Sequence, residues 1–414
     1  MENIKSYNQT SANRILALLI FLLSPLLAVV VAAKQYREVW AKNIVWLFAA
    51  YYGFTFVIGN QESDVNRYKV TFEELAAKRL GLGQFIDSLF TESKLDFLHP
   101  IINYVVSLFS NNFRVALLTY GIIMGFFLSR NIWNVINSTS VAIKYRSLFF
   151  IIPFCFVFAV WDINVLRFSV AAHIFFYGAF GVLVKKKNSA WIFVFLSMLM
   201  HFTFSLPIGV LILYKFVGNR TTIFFVLYCL SFMVSEINLG ALKSNLTFLP
   251  ESYREHSEGY INEDYQQERQ KLTEQKNFRG KFYQPAIKWS MAILLILVFF
   301  KRKEWLVQEK TWYGYFSFVL LYFGIFNILS VIPVMHRFLF VGYLFSLSLL
   351  FIYFQHAITK ADRIALKVAV PVLMFYFVVK FRIGFEFTGL FTLLGGPITA
   401  LFNEGDIPLI DLLR

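Results

Sequence analysis

The chain is 414 residues long, 58% hydrophobic and only 15% charged, with a formal net charge of +14. A soluble globular domain carries about 25% charged residues, and many apolar runs here approach the roughly 20 residues that cross a bilayer. A water-soluble fold is excluded, and the expected class is an all-α polytopic membrane helix bundle, a single unit over 1–414 with about 10–13 membrane segments.

The first apolar run, "RILALLIFLLSPLLAVVVAA" (14–33), is followed by Lys34 and Arg37 with no small-residue cleavage pattern, so it reads as a retained span. Further spans are expected near 44–59, 113–129, 147–161, 165–184, 222–237, 286–300, 312–332, 338–356 and 364–380. The connectors "KQYREVWAK" (34–42), "SRNIWNVINSTSVAIKYR" (129–146), "KKK" (185–187), "KRKEWLVQEK" (301–310) and "TKADRIALK" (359–367) are basic. Excess Lys and Arg in short loops marks the cytoplasmic side. The amino terminus and two long loops, 60–96 and 238–285, are then expected outside. Those loops hold more than half of the acidic residues and under a third of the basic ones. The positive charge is therefore topological, and no nucleic-acid partner is implied.

Two segments resist simple counting. "LDFLHPIINYVVSLFSNN" (95–112) is apolar but short, and 97–110 reads as a half-helix or interfacial segment on the outer side. "WIFVFLSMLMHFTFSLPIGVLILYKF" (191–216) has the length of one helix, but one crossing would reverse the sidedness of "KRK" (301–303). Two half-spans meeting around His201 and Pro207 restore it. Broken backbone at membrane depth is tolerated where protein or a wet cavity surrounds it, which puts His201 at the outer end of a cavity. Cys155 and Cys229 lie in separate apolar runs and read as buried small hydrophobes, with no disulfide or metal framework.

No G-x-x-x-x-G-K-[ST], G-x-G-x-x-G, H-E-x-x-H or C-x-x-C occurs, and no D-x-D of the kind that holds a metal on a nucleotide sugar. No metal and no cofactor are expected, and an enzyme of this type would not take a nucleotide conjugate from the cytoplasm, which leaves a lipid-linked donor on the outer face open. The candidate site begins with Arg167 in "WDINVLRFSVAAHIFFYGAF" (161–180), about one turn below the outer interface. A charge at that depth usually faces a bundle interior or cavity, and guanidinium offers a planar fork that matches phosphate oxygens. The structural alternative is snorkelling, or neutralisation by Asp162. Arg337 in "VIPVMHRFLF" (331–340) and Arg67 in "GNQESDVNRYKVTF" (59–72) fall at the same face, and three arginines there could clamp a diphosphate. A helix-end anchor is the alternative for Arg337, and a local pair with Asp64 for Arg67. The candidate general bases are His201, Asp64 and Asp162, with His99 and His336 behind them, because histidine and a carboxylate of raised pKa can accept a hydroxyl proton near neutrality. His173 and His356 read as structural.

These residues resemble the EpsG-like branch of Wzy-type bacterial polysaccharide polymerases. "SDVNRYKVTF" (63–72) is similar to the family's D-x-x-x-Y, and "DFLHPIINYVVSLF" (96–109) to its L-x-x-Y helix. "INVLRFSVAAHIFFYGAF" (163–180) resembles its I-N-x-x-R-x-x-x-A helix, "MLMHFTFSLPI" (198–208) its H-F segment, and "HRFLFVGY" (336–343) the stretch around its late arginine. The family's Gly-Arg element before the Asp is missing from "VIGNQES". The resemblance implies a GT-C-like glycosyltransferase at the outer face of the bacterial cytoplasmic membrane. Its donor and acceptor would be undecaprenyl-diphosphate-linked oligosaccharide repeats, and undecaprenyl diphosphate would be released. Membrane lipids, a flippase and a chain-length regulator would be its partners. Arg167 and Arg337, then Arg67, would bind the diphosphate, and His201 would be the base, with Asp64 or Asp162 as substitutes. The competing classes are a flippase for lipid-linked oligosaccharide and a membrane O-acyltransferase, for which His356 or His173 would matter.

Overall fold

The computed structural model describes residues 2–58, 63–91, 96–234, 277–301, 304–332, 334–356, 358–403 and 405–413. Among them there is no strand, only an isolated antiparallel bridge between Gly389 and Pro408. The all-α membrane bundle is what the structure shows. Among the described residues six helical segments are long and apolar enough to span a membrane, and shorter apolar helices accompany them.

The first apolar run divides at Ser24 into α1 (Glu2–Leu23) and α2 (Pro25–Lys34). Pro25 has no N–H to donate, so it is accommodated at the first position of α2, where Ser24 Oγ accepts from Leu27 N at 3.4 Å. After α3 (Ala41–Phe54), the stretch read as an outer loop carries two helices, α4 (Asp64–Lys78) and α5 (Leu82–Thr91). The short outer segment follows as α6 (Leu98–Ser107), and α7 (Phe113–Ile136) crosses next. A short 3-10 helix, Val160–Val165, joins α8 (Tyr145–Val157) to α9 (Leu166–Leu183). The 191–216 run is broken, as the charge rule required. α10 (Trp191–Met200) stops at His201, whose backbone is extended (φ −152°, ψ 110°), and α11 (Ser205–Val217) starts beyond it. Pro207 sits in the first turn of α11, where its missing N–H costs nothing.

α12 (Thr221–Ser231) ends shortly before residues 235–276, which lie outside the described part and with them most of the expected 238–285 loop. The chain is helical again from Phe278, earlier than the expected 286, in α13 (Phe278–Lys301), followed by α14 (Glu304–Gln308). α15 (Lys310–Leu329), α16 (Arg337–Gln355) and α17 (Lys360–Gly384) complete the long helices. Three short ones close the chain: α18 (Leu390–Leu394), α19 (Pro397–Phe402) and α20 (Leu409–Leu412).

α16 is the central helix. It is apolar on every side, and nearly every residue from Phe338 to Gln355 is buried, as expected of a helix with no solvent face. Elsewhere small residues bring backbones close. α3 meets α7 at Gly53, Gly121 and Gly125, and a Cβ on Gly121 would lie 2.5 Å from the Ala49 carbonyl oxygen.

The two ends of the bundle differ in chemistry. At one end the basic connectors cap helices. Arg146 Nε donates to Phe354 O at 2.7 Å and Lys144 Nζ to Gln355 O at 2.5 Å, placing cations on the carboxyl terminus of α16. The opposite end gathers the exit of α3, α4, α6, the 3-10 turn, the start of α9, the break at His201 and the start of α16. The described site candidates fall at that end.

Candidate functional site

Arg167 is the second residue of α9, and its guanidinium turns toward α4 and α6. Nη1 donates to Asp96 Oδ2 at 2.6 Å, and Nε to Tyr68 Oη at 3.2 Å. The ring of Tyr68 lies under the guanidinium at 5.5 Å, a cation–π contact. The side chain of Arg167 is 37% exposed, against 9% for Asp96. A buried carboxylate thus holds a cation that is itself partly exposed. Neither the snorkelling reading nor the pairing with Asp162 describes this arginine.

The second oxygen of Asp96 explains the break between α10 and α11. A new helical segment begins at Phe202, and the first backbone N–H groups of such a segment have no intrahelical acceptor. Phe202 N–H, one of these, donates to Asp96 Oδ1 at 2.7 Å. The same oxygen lies 3.7 Å from His201 Nδ1, beyond hydrogen-bond length but within reach of an ion pair if the ring is protonated. Thr203 Oγ1 is 3.4 Å from that nitrogen. One carboxylate therefore ties together Arg167, His201 and the interrupted backbone. His201 is also packed edge-on to Phe168, the residue after Arg167, with ring centroids 5.7 Å apart.

Behind Tyr68 stand His99 and Tyr120, with ring centroids 5.2 Å from Tyr68 to His99 and 5.8 Å from His99 to Tyr120. Tyr120 Oη donates to Asn103 Oδ1 at 2.8 Å. This layer fixes α6 against α7 and braces Tyr68. Arg337 opens α16 and is half-buried. Its neighbour Phe338 packs against Phe168 and Phe204, with centroids at 5.3 and 5.5 Å, so the start of α16 meets the Arg167 and His201 segments.

The other candidates are placed differently. Arg67 Nη2 bonds Asp64 Oδ1 within the first turn of α4, the local pair weighed from the sequence. Arg67 is largely exposed, and neither residue reaches the Asp96 carboxylate through a described contact. Asp162 is engaged away from the Asp96 carboxylate: its Oδ1 is 2.6 Å from Lys380 Nζ, and its Oδ2 accepts from Ala159 N at 2.7 Å, capping the 3-10 turn. We assign it a structural role. His173 is buried with Nε2 donating to Phe158 O at 3.0 Å, and His356 stacks on Trp305 at 3.7 Å. Both are structural, as read.

Sequence reasoning missed Asp96 as a site residue and found Tyr68 only as part of a quoted motif. The available signal for Asp96 was a carboxylate immediately before the short apolar helix, in "DFLHP". Among the described residues no group of three or more His, Cys, Asp or Glu comes together.

The arrangement is an accessible cation, a buried carboxylate and a histidine at one end of a membrane bundle. The profile of the EpsG family matches residues 43–391, a span that contains every residue of the constellation. The chain belongs to the EpsG family. This is a family of polysaccharide-polymerase type, and the order of segments read from the sequence agrees with it. No curated protein and no solved structure matches the chain.

Proposed function

We propose that this EpsG-family chain is a metal-independent polymerase. It joins oligosaccharide repeats carried on undecaprenyl diphosphate at the outer face of the cytoplasmic membrane. The observation that carries the reading is the Asp96 carboxylate bridging Arg167 and the backbone break at His201.

In this reading a hydroxyl of the incoming repeat attacks the anomeric carbon of the growing chain. The new glycosidic C–O bond forms as the bond to the diphosphate oxygen breaks, and undecaprenyl diphosphate leaves with the electron pair. Asp96 orients the partly exposed Arg167, so a preorganised cation meets the developing charge on that diphosphate. Arg337, at the start of α16, is the second cation. His201 takes the hydroxyl proton, and Asp96 favours the imidazolium that results. The acyltransferase reading would need His173 or His356 on a path for an acyl donor; the ring of one is buried against Phe158 and that of the other stacks on Trp305.

The test is a gel of lipid-linked glycans from cells carrying wild type or Arg167→Ala at matched membrane levels. Loss of one charge-stabilising donor costs about 10²–10³ in rate, so single repeats should accumulate and the ladder of longer chains should collapse. A normal ladder at equal expression would overturn the assignment of Arg167.

A further inference from the structure

A cavity of about 420 Å³ lies at the same end of the bundle as Arg167, on the far side of α4. Its size falls within the roughly 300–1,000 Å³ of small-molecule sites. The walls come from the exit of α3, from α4, from the start of α7 and from the closing segment around α18 and α19. Arg114 fixes these walls. Its guanidinium donates to Phe54 O at 3.0 Å, Asn403 O at 2.6 Å and Ala400 O at 3.1 Å, and it lies over the Phe54 ring. The arginine is thus engaged by the scaffold, and the ligand chemistry is set by the remaining side chains.

Those side chains are mixed, with one cation, Lys69, against two carboxylates, Glu73 and Asp406. Phe391, 43% exposed, offers aromatic surface beside the buried Phe56 and Phe113. Lys69, Glu73, Asn111, Asn403 and Asp406 offer donors and acceptors. An acyl chain here would strip water from the amides and carboxylates without replacing their hydrogen bonds. A phosphate would face Glu73 and Asp406. A neutral polyhydroxylated ring satisfies both halves, with hydroxyls on the polar groups and C–H faces on the phenyl rings. α4 connects the two sites: Tyr68 accepts from Arg167, while Phe72 packs on Phe113, with centroids at 5.8 Å, and Lys69 and Glu73 line the cavity.

We propose that this cavity is a glycan-binding subsite, which seats the sugars of a lipid-linked repeat whose diphosphate lies at Arg167. The choice of that occupant rests on the polymerase reading; the chemical class of ligand rests on the cavity alone.

The probe is the oligosaccharide released by mild acid from the lipid-linked repeats of the producing cells. Saturation-transfer NMR would follow its binding to the detergent-purified full chain. Wild type and Arg167→Ala should both bind it. Asn111→Trp, an exposed position where a large ring narrows the mouth without touching the core, should weaken binding about tenfold or more, as should Glu73→Gln. Full binding by Asn111→Trp, or no binding by wild type, overturns the subsite. In the ladder assay the subsite predicts that Asn111→Trp raises the repeat concentration needed for half-maximal rate and leaves the maximal rate. A normal concentration dependence for Asn111→Trp beside a lost ladder for Arg167→Ala rejects the subsite and leaves the polymerase standing. Oligosaccharide binding that Asn111→Trp abolishes, in a chain that makes no ladder, rejects the polymerase and leaves the subsite.

Discussion

Two aspartates at the Arg167 end of the bundle, Asp96 buried and Asp162 half-buried, are placed for opposite roles, and variants separate them. Asp96 holds Arg167 and the Phe202 amide while keeping His201 within 3.7 Å. Asp96→Asn keeps the shape and removes the charge that orients both groups. Elongation should fall by about 10²-fold or more, the scale of a mispositioned acid–base group, with the protein still folded in detergent. Asp162 instead neutralises Lys380 across 218 positions of sequence and caps the turn before α9. Asp162→Ala leaves a partly buried ammonium uncompensated, at about 3–5 kcal/mol, so its melting temperature should drop sharply. Lys380→Met added to it should recover much of the loss. If Asp162→Ala melts like wild type and loses only activity, the structural assignment fails. From the sequence alone the two could not be told apart. Arg167 was legible because a charge inside an apolar run is anomalous, but its partner stands 71 positions earlier in a polar stretch where a carboxylate is ordinary.

At the scale of elements, hydrophobic runs and punctuation placed most of the long helices. The break near His201 was legible because the count of crossings had to agree with the basic connectors. Its cause was not legible, since the Phe202 amide is satisfied by Asp96, 106 positions away. Helix α4 was read as loop because its composition is polar, and the apolar α5 because its ten residues are too few to cross a membrane. Close packing of α3 on α7 also depends on facts outside either segment. Gly53 and Gly121 each leave space for backbone of the other helix, and a Cβ on Gly53 would lie 2.3 Å from Leu117 O. Gly121→Ala should therefore destabilise by about 1–3 kcal/mol, the usual cost of overpacking, seen as a lower melting temperature in detergent. An unchanged melting temperature would mean that the two helices have room to part.

At the scale of the whole molecule, the function depends on which end faces out. The basic connectors that cap α16 at one end and the Arg167–Asp96–His201 constellation at the other impose a single polarity on the bundle. If the positive-inside rule governs insertion, the cavity beyond α4 and the Arg167 site both open away from the cytoplasm. Cysteine mapping decides this. In a Cys155→Ala/Cys229→Ala background, a single cysteine at Asn111 should react with a membrane-impermeant maleimide added to intact cells. A cysteine at Lys186, in the basic turn after α9, should react only after the membrane is opened. The reverse pattern would put the arginine and its carboxylate on the cytoplasmic side. A lipid-linked donor presented outside could not then reach them, and the polymerase reading would have to give way even if every distance at the site were right.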